Sequence, residues 1–277
     1  MLPNHFVAKR VQGAPALPRA LLKVAQVLAN WRSTPPLCYA GHPARRIEFS
    51  DSGIADYMAW LKYVNASGIP KSLSLSSHDW KPELTFYIFY NKFLPTEELS
   101  FALPSKQKET LLKLDRFMEV VAQVCPRFGA YYGYTDNQLL RRHWLAKTGV
   151  EDNQMTSSTL LNESIIEPLP ELLHFSKFDS HRVPDGIWWV NFWNSVMVET
   201  VGLERIQSAP WAGKVELLGG GVVVAATEEP TDARNPVHLA KLAQIVEHLG
   251  LQELQERYRV PERLKSTHSS RGWFHQA

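Results

Sequence analysis

The residues that most readily perform chemistry in proteins are serine, cysteine and histidine, and their spacing here does not predict a catalytic site. A nucleophile needs a sharp turn and a positioned base, yet the sequence contains no Gly-x-Ser-x-Gly. Cys38 and Cys125 stand alone, without a recognisable flanking sequence. His78 and Asp79 fall in a predicted hairpin loop, where both residue types are common in turns. We therefore expect that the protein is not an enzyme.

Metal and phosphate sites are not predicted either. His238 and His248 are ten residues apart on one predicted helix, which is too far for them to share an ion. The two cysteines lack the paired spacing of a zinc site. Gly219 to Gly221 precede a predicted strand, whereas a phosphate-binding loop leads into the N-terminus of a helix. We expect a hairpin turn at these glycines, and a protein without metal or cofactor.

Acidic side chains are the stronger functional candidates. Glu228, Glu229 and Asp232 follow a predicted strand closely, and three carboxylates there could imitate phosphate charge before the basic groove of a nuclease. The alternative is a solvated loop without a partner. Two other acidic pairs carry the same interpretation more weakly: Glu97 with Glu98, and Glu151 with Asp152.

Tryptophan is the second kind of candidate, because it is enriched at the energetic centres of protein interfaces. The chain has nine tryptophans, and Trp188 and Trp189 are adjacent in a predicted strand from Gly186 to Val190. Consecutive strand residues point to opposite faces, so one indole can pack inward while the other faces a partner. The alternative is that both are structural. We expect Trp193 to face the core from a helix beginning near Phe192.

The secondary-structure elements predicted to position these residues follow one another closely in the sequence. Val215 to Leu218 and Val222 to Thr227 predict a hairpin around the glycines. Pro230 prevents continued strand pairing. Asn235 suits the N-cap of the next helix, Pro236 suits its first turn, and Gly250 suits its end.

The rest of the chain alternates helices with short strands, which predicts an α+β fold with a mixed, largely antiparallel sheet flanked by helices. Residues 150–184 form an irregular connection punctuated by prolines, and they are a candidate junction between halves at about 1–150 and 184–277. Further elements are predicted as follows: helices at Leu17 to Trp31, Ile54 to Val64, Lys106 to Val124 and around Leu139 to Leu145, and strands at Arg46 to Ser50, Leu73 to Leu75, Leu84 to Phe93, Leu99 to Leu103 and Phe128 to Tyr134.

Composition predicts a folded cytoplasmic protein. The 277 residues are 44% hydrophobic and 21% charged, enough for a substantial core. The formal charge of +2 gives no reason to expect direct binding to nucleic acid. The first residues lack the apolar stretch of a signal peptide, and no window is long and apolar enough to cross a membrane. Two cysteines cannot form a disulfide scaffold, and we expect both to be small buried hydrophobic residues.

The order of these elements resembles the immunity protein 52 family of bacterial antitoxin-like proteins. The resemblance covers residues 184–251, about a quarter of the chain. The matching pieces are the tryptophan-containing strand, Gly219 to Gly221, Thr227-Glu228, and Asn235-Pro236 followed by His238. It implies a single immunity-type domain over residues 1–277 that binds and neutralises a type VI secretion effector. The implied partner is a restriction-endonuclease-like nuclease, inhibited by occlusion of its active site or of its delivery contacts rather than by chemistry.

Two other classes of function stay open from the residues alone. A small-molecule hydrolase or transferase with an unrecognised active site predicts a concave pocket holding two titratable groups with shifted pKa values. A structural or assembly component of the secretion machinery predicts self-association through exposed apolar surface.

Overall fold

The computed structural model describes residues 5–11, 17–32, 39–42, 45–48, 50, 52–53, 55–56, 71–76, 82–90, 96–103, 113–137, 140 and 169–260. Within them the strands are β1 (His5–Val11), β2 (Tyr39–His42), β3 (Arg45–Glu48), β4 (Lys71–Ser76), β5 (Pro82–Tyr90), β6 (Thr96–Ala102), β7 (Tyr132–Asp136), β8 (Val190–Trp193), β9 (Gly213–Glu216) and β10 (Val222–Ala225). The helices are α1 (Leu17–Arg32), α2 (Leu114–Phe128), α3 (Ser195–Val201), α4 (Leu203–Ser208), α5 (Pro236–Leu249) and α6 (Leu251–Arg257), with a 3-10 turn at Phe175–Lys177.

The strands form one sheet in the order β3-β2-β4-β5-β6-β1-β7-β8-β10-β9. Neighbouring strands run antiparallel at each described pairing. The predicted α+β class with a largely antiparallel sheet is therefore confirmed. The division of the chain into two halves stays a prediction, since part of the proposed junction lies outside the described residues.

Strand residues point alternately to either face, and the described helices pack on both faces of the part of the sheet formed by β1, β6, β7, β8 and β10. On one face, the first core contains apolar residues of α1, α2 and the strands, including Phe6, Phe101 and Phe117. On the other face, the second core contains residues of α3 to α6, including Leu242 and Leu249.

The predicted hairpin and the helix after it are confirmed. Val222 pairs with Glu216 across the turn, and Gly219 and Gly220 have φ angles of 95° and 81°, which favour glycine. The side chain of Asn235 accepts a hydrogen bond from the backbone N–H of Val237 and so caps α5. Gly250 ends α5 with a φ of 64°.

Two predicted helix boundaries are wrong. Lys113 is extended, so α2 begins at Leu114 rather than near residue 106, and it continues past Pro126 to Phe128. A proline in the last turn disrupts little of the helix, and Gly129 then closes it with a φ of 72°. Likewise Phe192 and Trp193 belong to β8 instead of a helix, because pairing with β7 and β10 extends the strand. Asn194 caps α3 after it.

Cys125 is buried, as predicted for a small hydrophobic residue, and burial raises the pKa of its thiol. It lies where α2 approaches β7 closely. A Cβ atom at Gly133 would come within 3.0 Å of the Cys125 sulfur and 2.9 Å of the Phe6 ring. Cys38 lies outside the described residues, as do His78 and Asp79.

Candidate functional site

The acidic loop, defined here as Glu228 to Asp232, connects β10 to α5. The side chains of Glu228 and Glu229 are exposed, and that of Asp232 is half-buried. Thr231 between them is buried. The loop therefore presents two exposed carboxylates and a third that is partly exposed, while Thr231 is buried.

Both ends of the acidic loop are held by side chains from other elements. The indole N–H of Trp189 donates to the carbonyl of Thr227 over 3.1 Å, and this bond is buried. The side-chain amide of Asn137 donates to the carbonyl of Thr231 over 3.0 Å, also in a buried position. Buried hydrogen bonds strongly limit backbone movement, since breaking one leaves a polar group without a partner.

Bonds inside the loop fix its shape further. The hydroxyl of Thr227 donates to the carbonyl of Glu229 over 2.6 Å. The hydroxyls of Thr227 and Thr231 lie 3.1 Å apart, so the Thr231 hydroxyl donates to that of Thr227. The backbone between the two threonines is thus closed into a small ring that points Glu228 and Glu229 outward.

The first turn of α5 holds the other side of the loop. The backbone N–H of Asp232 donates to Nδ1 of His238 over 3.0 Å, so this nitrogen carries no proton. The Asp232 carboxylate accepts the backbone N–H of Arg234 over 3.0 Å. His238 is therefore a positioning residue for the loop, which is a role that its sequence position beside Asn235-Pro236 did not indicate.

A loop of this kind can recognise a positively charged surface. Its backbone is held in one shape before a partner binds, and preorganisation reduces the entropy lost on binding. Val237, in the adjacent helical turn, is 73% exposed. The site thus combines exposed negative charge with one neighbouring apolar side chain.

The two candidate tryptophans are both buried, with 3% of Trp188 and 1% of Trp189 exposed. Trp188 lies in the second core and Trp189 in the first core, so they do point to opposite faces. They precede β8, and each face is covered. Trp189 stacks on Phe117 at a centroid distance of 5.2 Å. Neither indole offers contact area to a partner in this conformation.

The pair Glu97 and Glu98 lies far from the acidic loop. Strand β6 is separated from β10 by β1, β7 and β8, which corresponds to about 19 Å across the sheet. Glu97 is buried and forms an ion pair with Arg10 over 2.7 Å, so its role is structural. Glu98 is partly exposed and lies 3.9 Å from Lys9. Glu151 and Asp152 lie outside the described residues.

A cluster around Lys9 was not anticipated from the sequence. The Lys9 ammonium lies over the rings of Tyr134, Phe175 and Tyr132 at 5.2, 5.5 and 5.9 Å. It is also 3.9 Å from the carboxylate of Asp185, which accepts the hydroxyl of Tyr132 over 2.7 Å. The residues come from β1, β7 and the irregular segment, so no local pattern could have brought them together.

Burial and neighbouring charged groups together set the pKa values in this Lys9 cluster. For Lys9, burial alone would lower the pKa, but Tyr134, Glu98 and Asp185 together raise it. Burial raises the pKa of Tyr131 to about 12. For His174, burial lowers the pKa to about 4, with Asp185 opposing the shift and Lys177 and Lys9 reinforcing it. The cluster thus keeps one cation between two carboxylates and holds His174 neutral.

We expect His174 to make stability depend on pH. Its pKa falls from an ordinary value of 6.5 to about 4 on folding, so the unfolded chain binds the proton more readily. The contribution of His174 is therefore complete above pH 6.5 and is lost progressively as the pH falls towards 4. Urea unfolding at several pH values should show a shallower loss for His174→Gln than for the natural chain. Equal slopes would contradict the assignment.

The described residues also line a crevice of about 440 Å³ between the irregular segment and α6. Its lining residues are Glu171, Leu172, Leu173, Lys177, Gln252, Gln255, Glu256 and Arg259. None of Lys9, His174, Tyr132 or Asp185 lines it. The hydrolase or transferase alternative requires a pocket that contains titratable groups with shifted pKa values. Within the described part of the chain, these groups and this crevice lie at different positions.

Two features bear on metals and membranes. In the ranges that the structure describes, no three histidine, cysteine or acidic side chains are grouped in a way that could hold a metal ion. No helix in these same ranges has both the length and the apolar character needed to span a bilayer.

Comparison with known proteins shows similarity to a family model and to a solved structure. A family model described as a domain of unknown function, DUF5953, matches residues 118–250, which is just under half of the chain and includes the acidic loop with its anchors. Among solved structures, the chain is similar to the Pseudomonas aeruginosa T6SS protein PA0821, with 14% identity and a TM-score of 0.50. That similarity covers 90% of this chain and 73% of the other. No curated protein matched.

Proposed function

We propose that this chain is an immunity protein of type VI secretion that binds a cognate effector toxin and neutralises it in a stoichiometric complex. The observation that carries the proposal is the shared fold with a Pseudomonas aeruginosa T6SS protein over 90% of the chain. The resemblance of residues 184–251 to the immunity protein 52 family supports the same conclusion. On this proposal the protein acts by occupying a surface, without a cofactor and without catalysis.

The acidic loop is the proposed contact with the toxin. Exposed carboxylates at Glu228 and Glu229 match a partner with a basic groove, as expected of a restriction-endonuclease-like nuclease. The buried bonds from Trp189 and Asn137 favour this loop over Glu98, because they hold it in one shape before binding. A nuclease meets its substrate in the cytoplasm, so we place neutralisation there.

The function is tested by co-expression with the product of the adjacent gene, in cells that this product alone kills. Survival together with a co-purifying complex of fixed stoichiometry is the expected result. Survival without any complex would contradict neutralisation by a stoichiometric complex. Death despite full expression of the folded chain would contradict the proposal that this chain neutralises that gene product.

The contact face is tested by charge reversal. We expect Glu228→Lys combined with Glu229→Lys to weaken toxin binding at least tenfold, about 1.4 kcal/mol, because the two introduced lysines would repel a basic groove. Association should also slow and lose its dependence on salt. Isothermal titration and stopped-flow association measure the two effects.

A matched control reverses two carboxylates elsewhere, Glu199→Lys with Glu204→Lys, which are exposed on α3 and α4. This control has the same change in net charge and should bind the toxin as the natural chain does. If the loop variant is folded and binds with unchanged affinity, the acidic loop is not the contact. Asp232 is tested separately as Asp232→Asn, because its carboxylate also accepts the Arg234 N–H.

A further inference from the structure

Strand β9 forms an edge of the sheet, and its outward backbone groups can be identified. The N–H of Leu217 donates to the carbonyl of Gly221, which fixes the hydrogen-bonded positions of the pairing between β9 and β10. Because these positions recur every two residues, Val215 and Gly213 bond to β10. The N–H and C=O groups of Lys214 and Glu216 therefore point away from the sheet.

The side chains at these two positions carry opposite charge on one face. Lys214 Nζ lies 3.2 Å from Glu216 Oε1, and both side chains are accessible to solvent. Charged residues on a short edge strand usually discourage pairing with other chains. Here, however, the spacing is self-complementary, since reading the strand in reverse brings Lys214 opposite Glu216.

We propose that two copies of this chain associate through β9, antiparallel, about a two-fold axis at Val215. Lys214 of one copy then lies opposite Glu216 of the other, and the reverse holds across the axis. Both positions have outward backbone groups, so each forms a hydrogen-bonded pair, with four backbone hydrogen bonds in all. The sheet becomes continuous through the two copies.

A fully exposed leucine lies just beyond the proposed pairing. Leu218 has no measurable burial, and it is the most exposed large apolar side chain in the described part of the chain. Leu218 belongs to the turn after β9, in which the N–H of Gly220 donates to the carbonyl of Leu217, so the strand register does not extend to it. The proposed pairing therefore rests on Lys214, Val215 and Glu216.

This interface differs from self-association through a broad apolar surface, which an assembly component would use. It depends on backbone hydrogen bonds and on two charge pairs, so reversing the charge of a single residue should weaken it. It also does not depend on the proposed immunity function, because it involves no toxin.

Charge exchange tests the register. In sedimentation velocity between about 10 µM and 1 mM, the natural chain should shift from monomer to dimer. Lys214→Glu and Glu216→Lys each place like charges opposite one another twice, and each should raise the dimer Kd at least about tenfold. The two single variants mixed together restore opposite charges and should form a heterodimer, and the double variant should dimerise like the natural chain.

A natural chain that stays monomeric throughout this range would overturn the proposal. Dimerisation that is unchanged in both single variants, or a mixture that stays monomeric when the natural chain dimerises, would overturn it as well. A second measurement does not rely on charge. Val215→Cys places two cysteines across the axis, about 4.5 Å apart between Cα atoms, and mild oxidation should link the copies. Val237→Cys, exposed elsewhere, is the control and should not link at the same concentration.

Discussion

Replacing Trp189 by alanine is expected to lower the free energy of unfolding by about 3 to 5 kcal/mol. Trp189 is almost completely buried in the first core and stacks on Phe117 with an interplanar angle of 6°. Removal of the indole leaves a large cavity between the sheet and α2. Chemical denaturation followed by circular dichroism measures the effect.

The same residue holds the acidic loop, and a second variant separates the two roles. Trp189→Phe keeps an aromatic ring against Phe117 but cannot donate to the carbonyl of Thr227. We expect a smaller loss, about 1 to 3 kcal/mol, together with faster amide hydrogen exchange in residues 228–232. Protection in that loop equal to the natural chain would show that the indole N–H does not hold it.

The second large effect is expected at the buried ion pair of Arg10 and Glu97. Arg10 Nε donates to the Glu97 carboxylate over 2.7 Å, and Arg10 Nη1 donates to the carbonyl of Phe128 at the end of α2. Arg10→Met removes the charge that compensates Glu97 in a buried position. Breaking a buried pair in this way costs about 3 to 5 kcal/mol, which equilibrium unfolding in urea would detect.

Replacing both partners provides the control for this prediction. Arg10→Met combined with Glu97→Leu removes both charges, so no uncompensated carboxylate stays in the core. The double variant should be much more stable than Arg10→Met alone, because well-packed apolar residues can replace a buried pair at little cost. Additive losses in a double-mutant cycle would mean that the two side chains do not depend on each other.

Trp189 and Glu97 show how stability and the proposed function are connected. Trp189 lies in the first core and donates a hydrogen bond to the residue that precedes the acidic loop. Glu97 was predicted to contact a partner at the surface, but it is buried and forms an ion pair with Arg10. The exposed carboxylates of the loop can thus be changed without touching the core. Changes at their anchors are expected to affect both folding and binding.

Features that depend on neighbouring residues were predictable. The glycine turn, the Asn235 N-cap and the Gly250 end of α5 follow from local backbone preferences, and the structure confirms them. The buried residues of α5 recur at three- and four-residue steps, as in other helices with one apolar face: Leu239, Leu242, Ile245, Val246 and Leu249. Predictions failed where pairing partners decide the outcome, as at Phe192, which hydrogen bonds to adjacent strands draw into β8.

The sequence by itself determined the alternation of helices and strands, the hairpin, and the position of three carboxylates in the loop after it. Only the tertiary structure decided which charged groups face solvent. Arg10 and Glu97 are 87 residues apart, and Trp189 and Thr227 are 38 apart, so no local pattern records that they meet. The physical reason is that burial and pairing depend on strand order across the sheet, which brings distant segments together and leaves Glu228 and Glu229 exposed.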